Sequence, residues 1–199
     1  METKTFIESL KFVAHAQAVR DIRYCLNGVL FEFDGRSLHL VGTDGHRMAV
    51  AQLEYAGDVR GQFIAPTESV KQIISAFKAG KKGEITFKAD GNKLELTHNG
   101  AGVSFTATDG LFPDWRRVAV PADRVPGAFP CVDPEYLASA CKALAPLCAA
   151  IGKGARPLTI NANGTEALKA HPVALDLAGL SQAFAIIMPV RPIIMPVRP

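Results

Sequence analysis

With 199 residues, 48% of them hydrophobic and 21% charged, the chain has the makeup of a globular protein and the length for one large domain or one and a half smaller ones. No apolar run approaches the roughly 20 residues of a membrane helix, and METKTFIESLKF lacks the apolar core and small-residue cleavage site of a signal peptide, so a soluble cytoplasmic protein is expected. A formal net charge of +3 permits contact with a polyanion without requiring it, while Cys25, Cys131, Cys141 and Cys148 stand at no zinc-ligand spacing and read as buried free thiols.

From Phe6 to Val19, apolar Phe6, Leu10 and Val13 recur with Gln17 at helical spacing, with Lys4, Glu8 and Lys11 largely off that stripe, which predicts a first helix. LNGVLFEF and RSLHLVG flank an Asp34-Gly35 turn as a hairpin, and MAVAQLEY and QFIAP add strands. TESVKQIISAFKAGKK predicts a second helix, with Thr67 as N-cap, Val70, Ile73, Ile74 and Phe77 on one face and Gly80 as the stop. EITFKA, NKLELTH and GVSFTAT follow as strands joined by turns at Asp90-Gly91 and Asn99-Gly100.

PADRVPGAFP, from Pro121 to Pro130, has no periodicity and reads as a linker. DPEYLASACKAL opens a third helix with Asp133 as N-cap and Tyr136, Leu137, Ala140, Cys141 and Leu144 on one stripe. PLTINANGTEALKA reads as a hairpin about Asn163-Gly164, and SQAFAIIMP as a last strand. The chain closes on IIMPVRP written twice, Ile186–Pro192 and Ile193–Pro199.

Two polar clusters stand out. In Thr43-Asp44-Gly45-His46-Arg47 a catalytic pair of Asp44 and His46 is conceivable, but no nucleophile announces itself and residues two apart in a tight turn rarely reach triad geometry, so a polar turn closed by Gly45 is the better reading. His15, His39, His46, His98 and His171 are too scattered for a metal site, and no catalytic residue, metal or cofactor is expected. The second cluster, Phe112-Pro113-Asp114-Trp115-Arg116-Arg117-Val118, sets the only tryptophan beside two arginines.

RYCLNGVLFE, VGTDGHRMAV and DGLFPDWRRV resemble, in order and approximate separation, signatures of the middle domain of the bacterial sliding clamp family, the beta subunit of DNA polymerase III. VDPEYL resembles the start of the last helix of that family's third domain, and AIIMPVRP its C-terminus. The resemblance implies an α+β DNA-clamp fold with helices on one face of antiparallel sheets: a full clamp domain over 1–122, a truncated C-terminal clamp domain over 123–192 and a duplicated tail over 193–199. The family's first domain has no counterpart, and the half domain leaves open sheet edges that favour association between chains, such as three chains in a six-domain ring.

The function so implied is a non-catalytic processivity factor for DNA replication or repair, which encircles or tracks duplex DNA as a homo-oligomer, binds it non-specifically through basic helix faces, and recruits polymerases and other clients that carry a short Gln- and Leu-containing motif. A clamp loader is a further implied partner, and a membrane is not. Carried over by position, one wall of the peptide groove is Arg23, Leu26, Thr43, Gly45, His46, Arg47 and Met48 with Pro113, Arg117 and Val118, and the other is Asp133, Tyr136, Ile186, Met188, Pro189, Val190 and Arg191. The apolar members suit a client's leucine and aromatic anchors, and His46 and the arginines its polar end. Lys11, Lys71, Lys78 and Lys142 are the DNA-facing candidates, although any amphipathic helix has a charged solvent face. The alternative is a clamp-derived peptide-binding module, an adaptor or competitor that does not encircle DNA.

Overall fold

The computed structural model describes residues 1–77, 82–117, 132–151, 158–162, 173–177 and 180–188. The linker, Gly80, the Asn163-Gly164 turn, His171, Cys131 and the tail 193–199 lie outside the described residues. Among the described residues, helices α1 (Thr3–Ala14), α2 (Thr67–Ala76) and α3 (Pro134–Ile151) accompany ten strands. Among the described residues no helix is long and apolar enough to cross a membrane.

Strands β1 (Gly28–Phe33), β2 (Ser37–Thr43), β3 (Arg47–Glu54) and β4 (Gly61–Pro66) join β8 (Leu158–Ala162), β9 (Val173–Leu177) and β10 (Leu180–Ile187) in a seven-stranded sheet, ordered β4-β1-β2-β3-β10-β9-β8. Strands β5 (Thr86–Asp90), β6 (Lys93–His98) and β7 (Ala101–Thr106) form a second sheet, and all pairings are antiparallel. The long-range pairing of β10 with β3, with Ile186 opposite Met48 and Ile187 opposite Arg47, makes the seven strands one sheet.

Local chemistry explains the turns. At Asp34-Gly35 the Asp34 carboxylate accepts the amides of Arg36 and Ser37 at 2.9 and 2.7 Å, and Gly35 takes the φ of +100° that an L side chain resists. The first helix is shorter and earlier than its periodicity predicts, running Thr3–Ala14 rather than Phe6–Val19. Met1 to Thr3 pair with Gly83 to Ile85, which fixes its start, and Gln17 falls beyond its end. Thr67 is the first residue of α2 rather than its cap, because its hydroxyl donates to the Asn27 carbonyl across the sheet edge. Asp133 does cap α3, accepting the Glu135 amide at 2.8 Å. The described strand that pairs with β8 is Val173–Leu177, while the TEALKA segment of the hairpin reading lies outside the described residues.

Alternation along the strands feeds two cores. Val29, Phe31 and Phe33 of β1, Leu38 and Leu40 of β2, Ala49 and Ala51 of β3 and Ile187 of β10 face the helices and, through Phe31–Phe105 and Phe33–Phe87 ring contacts, the second sheet. Leu30, Val41, Met48, Val50, Ile64 and Ile186 point the opposite way, where Ala18, Leu26, Phe112 and Trp115 cover them. Gly42 lies on the helix side, and a Cβ there would stand 2.2 Å from the Val13 carbonyl oxygen, so α1 ends against bare backbone.

Candidate peptide-binding cleft

The TDGHR loop is built by its own side chains. Asp44 Oδ1 accepts the amides of His46 and Arg47, each at 2.9 Å, while its Oδ2 pairs with Arg47 Nε at 3.0 Å. Thr43 Oγ1 donates to the Arg47 carbonyl at 2.7 Å and accepts the Gly45 amide at 3.1 Å, with Gly45 at φ +88°. Asp44 is therefore committed to the loop and does not orient the His46 ring, which removes the geometric basis for an acid–base pair. The His46 ring instead stacks on Tyr136 at 6.3 Å, and the His46 carbonyl accepts the Met188 amide at 2.9 Å.

Beside this loop the second core opens into a cleft of about 210 Å³ lined by Arg23, Leu26, Thr43, Gly45, Arg47, Met48, Phe112, Pro113, Asp114, Trp115, Ile186 and Met188. Leu26, Met48, Phe112, Trp115 and Ile186 are buried and form its floor, whereas Met188 is 36% exposed at the mouth. The volume is below the ~300–1,000 Å³ that encloses a drug-sized ligand, and suits one or two apolar anchor side chains. A larger space of about 700 Å³ lies between residues 55–60 and 84–89, where Asp58, Arg60, Glu84 and Lys88 join Tyr55, Val59, Ile85 and Phe87 in its lining, and none of the expected groove residues reaches it.

Charges at the rim are largely partnered within the chain. Arg23 forks onto Asp21 at 2.7 and 3.0 Å, and the hydrogen bonds from that guanidinium hold the half-buried Asp21 carboxyl down to about 2. Arg23 also donates to the Asp44 carbonyl at 3.3 Å, which leans it over the loop. Arg47 donates to Ser139 Oγ at 2.9 Å and lies 5.1 Å over the Tyr136 ring, so it clamps α3 to the loop. Arg117 pairs outward with Asp114 at 3.1 Å.

The structure thus gathers nine of the expected groove residues, Arg23, Leu26, Thr43, Gly45, Arg47, Met48, Pro113, Ile186 and Met188, around one cleft. His46, Arg117 and Tyr136 adjoin it through Arg47 and Asp114 without lining it, Asp133 is described only at the start of α3, and Val118, Pro189, Val190 and Arg191 lie outside the described residues. Sequence reasoning missed Phe112, Asp114 and Trp115. The spacing of Phe112 and Trp115, three apart in a segment without strand alternation, was the available signal, since Trp115 begins a short 3-10 turn that buries it.

Lys11, Lys71 and Lys142 are exposed on α1, α2 and α3, on the side of the large sheet opposite the cleft, and Lys78 lies outside the described residues. Lys11 pairs with Glu8 at 2.8 Å and Lys71 with Glu68 at 2.7 Å. Cys25 and Cys141 are free but half-buried rather than buried, and Cys148 is not among the described side chains. Among the described residues no cluster of His, Cys, Asp and Glu could hold a metal ion.

Residues 1–114 match the family described as DNA polymerase III beta subunit, central domain. The chain belongs to this family. The beta sliding clamp of Vibrio cholerae is 39% identical over 121 residues, and that of Escherichia coli K12 is 35% identical over 118. These matches take in 59% and 58% of this chain but 31% of each relative, so the chain matches under a third of the length of those clamps. The DNA polymerase III beta subunit of Thermotoga maritima superposes with a TM-score of 0.79 over 97% of this chain and 65% of its own, at 17% identity. A sliding clamp from Pseudomonas aeruginosa gives 0.77 over 96% and 66%. At such identity the likeness concerns the fold: helices with antiparallel sheets in the sliding-clamp arrangement, continuing past the segment that the beta-subunit family covers.

Proposed function

We propose that this chain is a non-catalytic, clamp-type DNA replication or repair factor that binds polymerases and other clients by seating their apolar peptide anchors in the cleft. The observation that carries this reading is the convergence of three separate stretches, 23–26, 43–48 and 112–115, with Ile186 and Met188 on one apolar floor ringed by backbone and arginine donors. That arrangement matches what a short extended peptide requires: a pocket for a leucine or aromatic side chain and polar groups to fix its direction. In this reading residues 1–122 are the clamp domain, 123–192 the partial C-terminal clamp domain and 193–199 a duplicated tail. The chain acts in the cytoplasm as a homo-oligomer that tracks duplex DNA through Lys11, Lys71, Lys78 and Lys142, and a clamp loader is a further partner.

A second reading, a peptide-binding module that does not encircle DNA, draws support from the Lys11–Glu8 and Lys71–Glu68 pairs, which reduce the positive field of the helix face. Fluorescence anisotropy with a labelled Gln-, Leu- and Phe-containing peptide, and separately with duplex DNA across a salt series, distinguishes the two. Peptide binding with DNA affinity that falls steeply as salt rises supports the tracking factor, and peptide binding alone supports the module. Failure to bind such a peptide, or binding that the Leu26→Ala variant does not weaken, would mean that the cleft has another purpose.

A further inference from the structure

Glu32 lies on β1 two residues beyond Leu30, on the cleft side of the sheet, yet it does not line the cleft. Its side chain is 14% exposed and draws donors from three directions. Gln62 on neighbouring β4 donates to Oε1 at 2.7 Å, the Trp115 indole N–H donates to Oε2 at 3.2 Å, and Arg116 pairs with the same oxygen at 2.8 Å. Burial pushes the Glu32 carboxyl upward, but the hydrogen bonds from Gln62, Arg116 and Trp115 outweigh it and hold the group below its ordinary value. The Arg116 guanidinium lies 4.3 Å over the Trp115 ring, and the His39 ring approaches that indole at 5.5 Å.

These contacts concern a strap. Residues 107–117 leave β7 and cross the cleft side of the sheet without strand pairing, and they carry Phe112, Pro113, Asp114 and Trp115 to the cleft. At its start the strap is tied by the Thr108 amide, which donates to the Ile64 carbonyl at 2.9 Å. At its far end the described polar ties to the sheet are those to Glu32. A carboxylate set among the apolar residues of this face costs desolvation, which its donors must offset.

We infer that Glu32 is a positioning residue of the cleft: through Trp115 and Arg116 it fixes the Phe112–Trp115 wall and thereby sets how tightly an apolar peptide anchor is held. The inference rests on the peptide-groove reading above, and Trp115 supplies an independent readout because it is the only tryptophan in the chain.

The test compares the full chain with Glu32→Ala, Glu32→Gln and Arg116→Ala, with Gln52→Ala, elsewhere on the same sheet, as control. Peptide anisotropy and Trp115 emission are read on each. Glu32→Ala is expected to shift the emission to the red and to weaken the peptide by about ten-fold, the scale of losing charge-assisted hydrogen bonds. Glu32→Gln, which keeps an acceptor for the indole, should restore the emission and part of the affinity, and Arg116→Ala should fall between. Unchanged emission and affinity in both Glu32→Ala and Arg116→Ala would overturn the inference, as would an equal loss in Gln52→Ala. If the unaltered chain binds no peptide, the groove reading fails by itself, and the emission still decides whether Glu32 holds the strap.

Discussion

The Met188 amide donates to the His46 carbonyl over 2.9 Å, so the end of the last strand is fastened to the loop that shapes the cleft. Two residues inward along each strand, Ile186 sits opposite Met48 in the β10–β3 ladder. Both apolar side chains then belong to the same floor, and the cleft exists only while β10 stays paired.

Deleting residues 180–199 should therefore abolish peptide binding and leave the β3 edge unpaired. The expected outcome is self-association, visible as increased mass by light scattering during size-exclusion chromatography. A truncated chain with unchanged mass and intact peptide affinity would show that β3 and the cleft do not need β10.

Arg47 joins the Asp44 carboxylate, Ser139 and the Tyr136 ring at once. Arg47→Ala should cost about 1.5–3 kcal/mol, the range for hydrogen bonds to charged groups. Arg47→Lys should recover little, because an ammonium cannot reproduce the planar fork or its stacking. Urea unfolding of the two variants measures this, and full recovery by lysine would reduce the role of Arg47 to its charge.

Gly42 needs no unusual φ, yet its missing side chain is the space that α1 occupies beside Val13. Gly42→Ala should destabilise by about 1–3 kcal/mol, the usual cost of overpacking. Gly91 has open space where a Cβ would project, so Gly91→Ala would reveal only the cost of its φ of +57°. Thermal melts that rank Gly42→Ala no lower than Gly91→Ala would contradict the contact argument.

Burial, reinforced for His39 by the nearby Arg116 charge, lowers His39 and His15 below their ordinary value of 6.5. Between the lowered folded values and 6.5 the unfolded chain binds more protons, so stability must fall as the pH drops through that window. Glu32, a depressed carboxyl, adds a more acid window, its contribution being present above its unfolded value and lost as the pH falls through the folded one. Urea midpoints measured from about pH 7.5 down to about pH 5 should decline, with a shallower decline for His39→Gln. Identical slopes for that variant and the parent would exclude His39 as a contributor.

If the helix face meets DNA, Glu8→Gln and Glu68→Gln should together tighten binding at low salt and steepen its salt dependence, since they release Lys11 and Lys71 from their partners. Anisotropy with duplex DNA reads both quantities. No change in either would favour the peptide module.

The sequence by itself determined most of the strands, most of the turns and much of the cleft's membership, but not β9. Alternation separates the inward Phe31 and Phe33 from the outward Leu30, and Asp34-Gly35 and Asn99-Gly100 write turn chemistry into adjacent letters. The segments RYCLNGVLFE and VGTDGHRMAV, through their resemblance to the clamp family, pointed to Arg23, Leu26, Thr43, Gly45, Arg47 and Met48, which line the cleft. Tertiary structure decided how those groups are used. That β10 lies beside β3, that Arg47 spends its donors on α3, and that Glu32 holds Trp115 all depend on contacts between residues distant in the chain. Periodicity records which face of an element is buried, but the partner that buries it is chosen by packing and by the need of each buried polar group for a mate, and neither leaves a local trace.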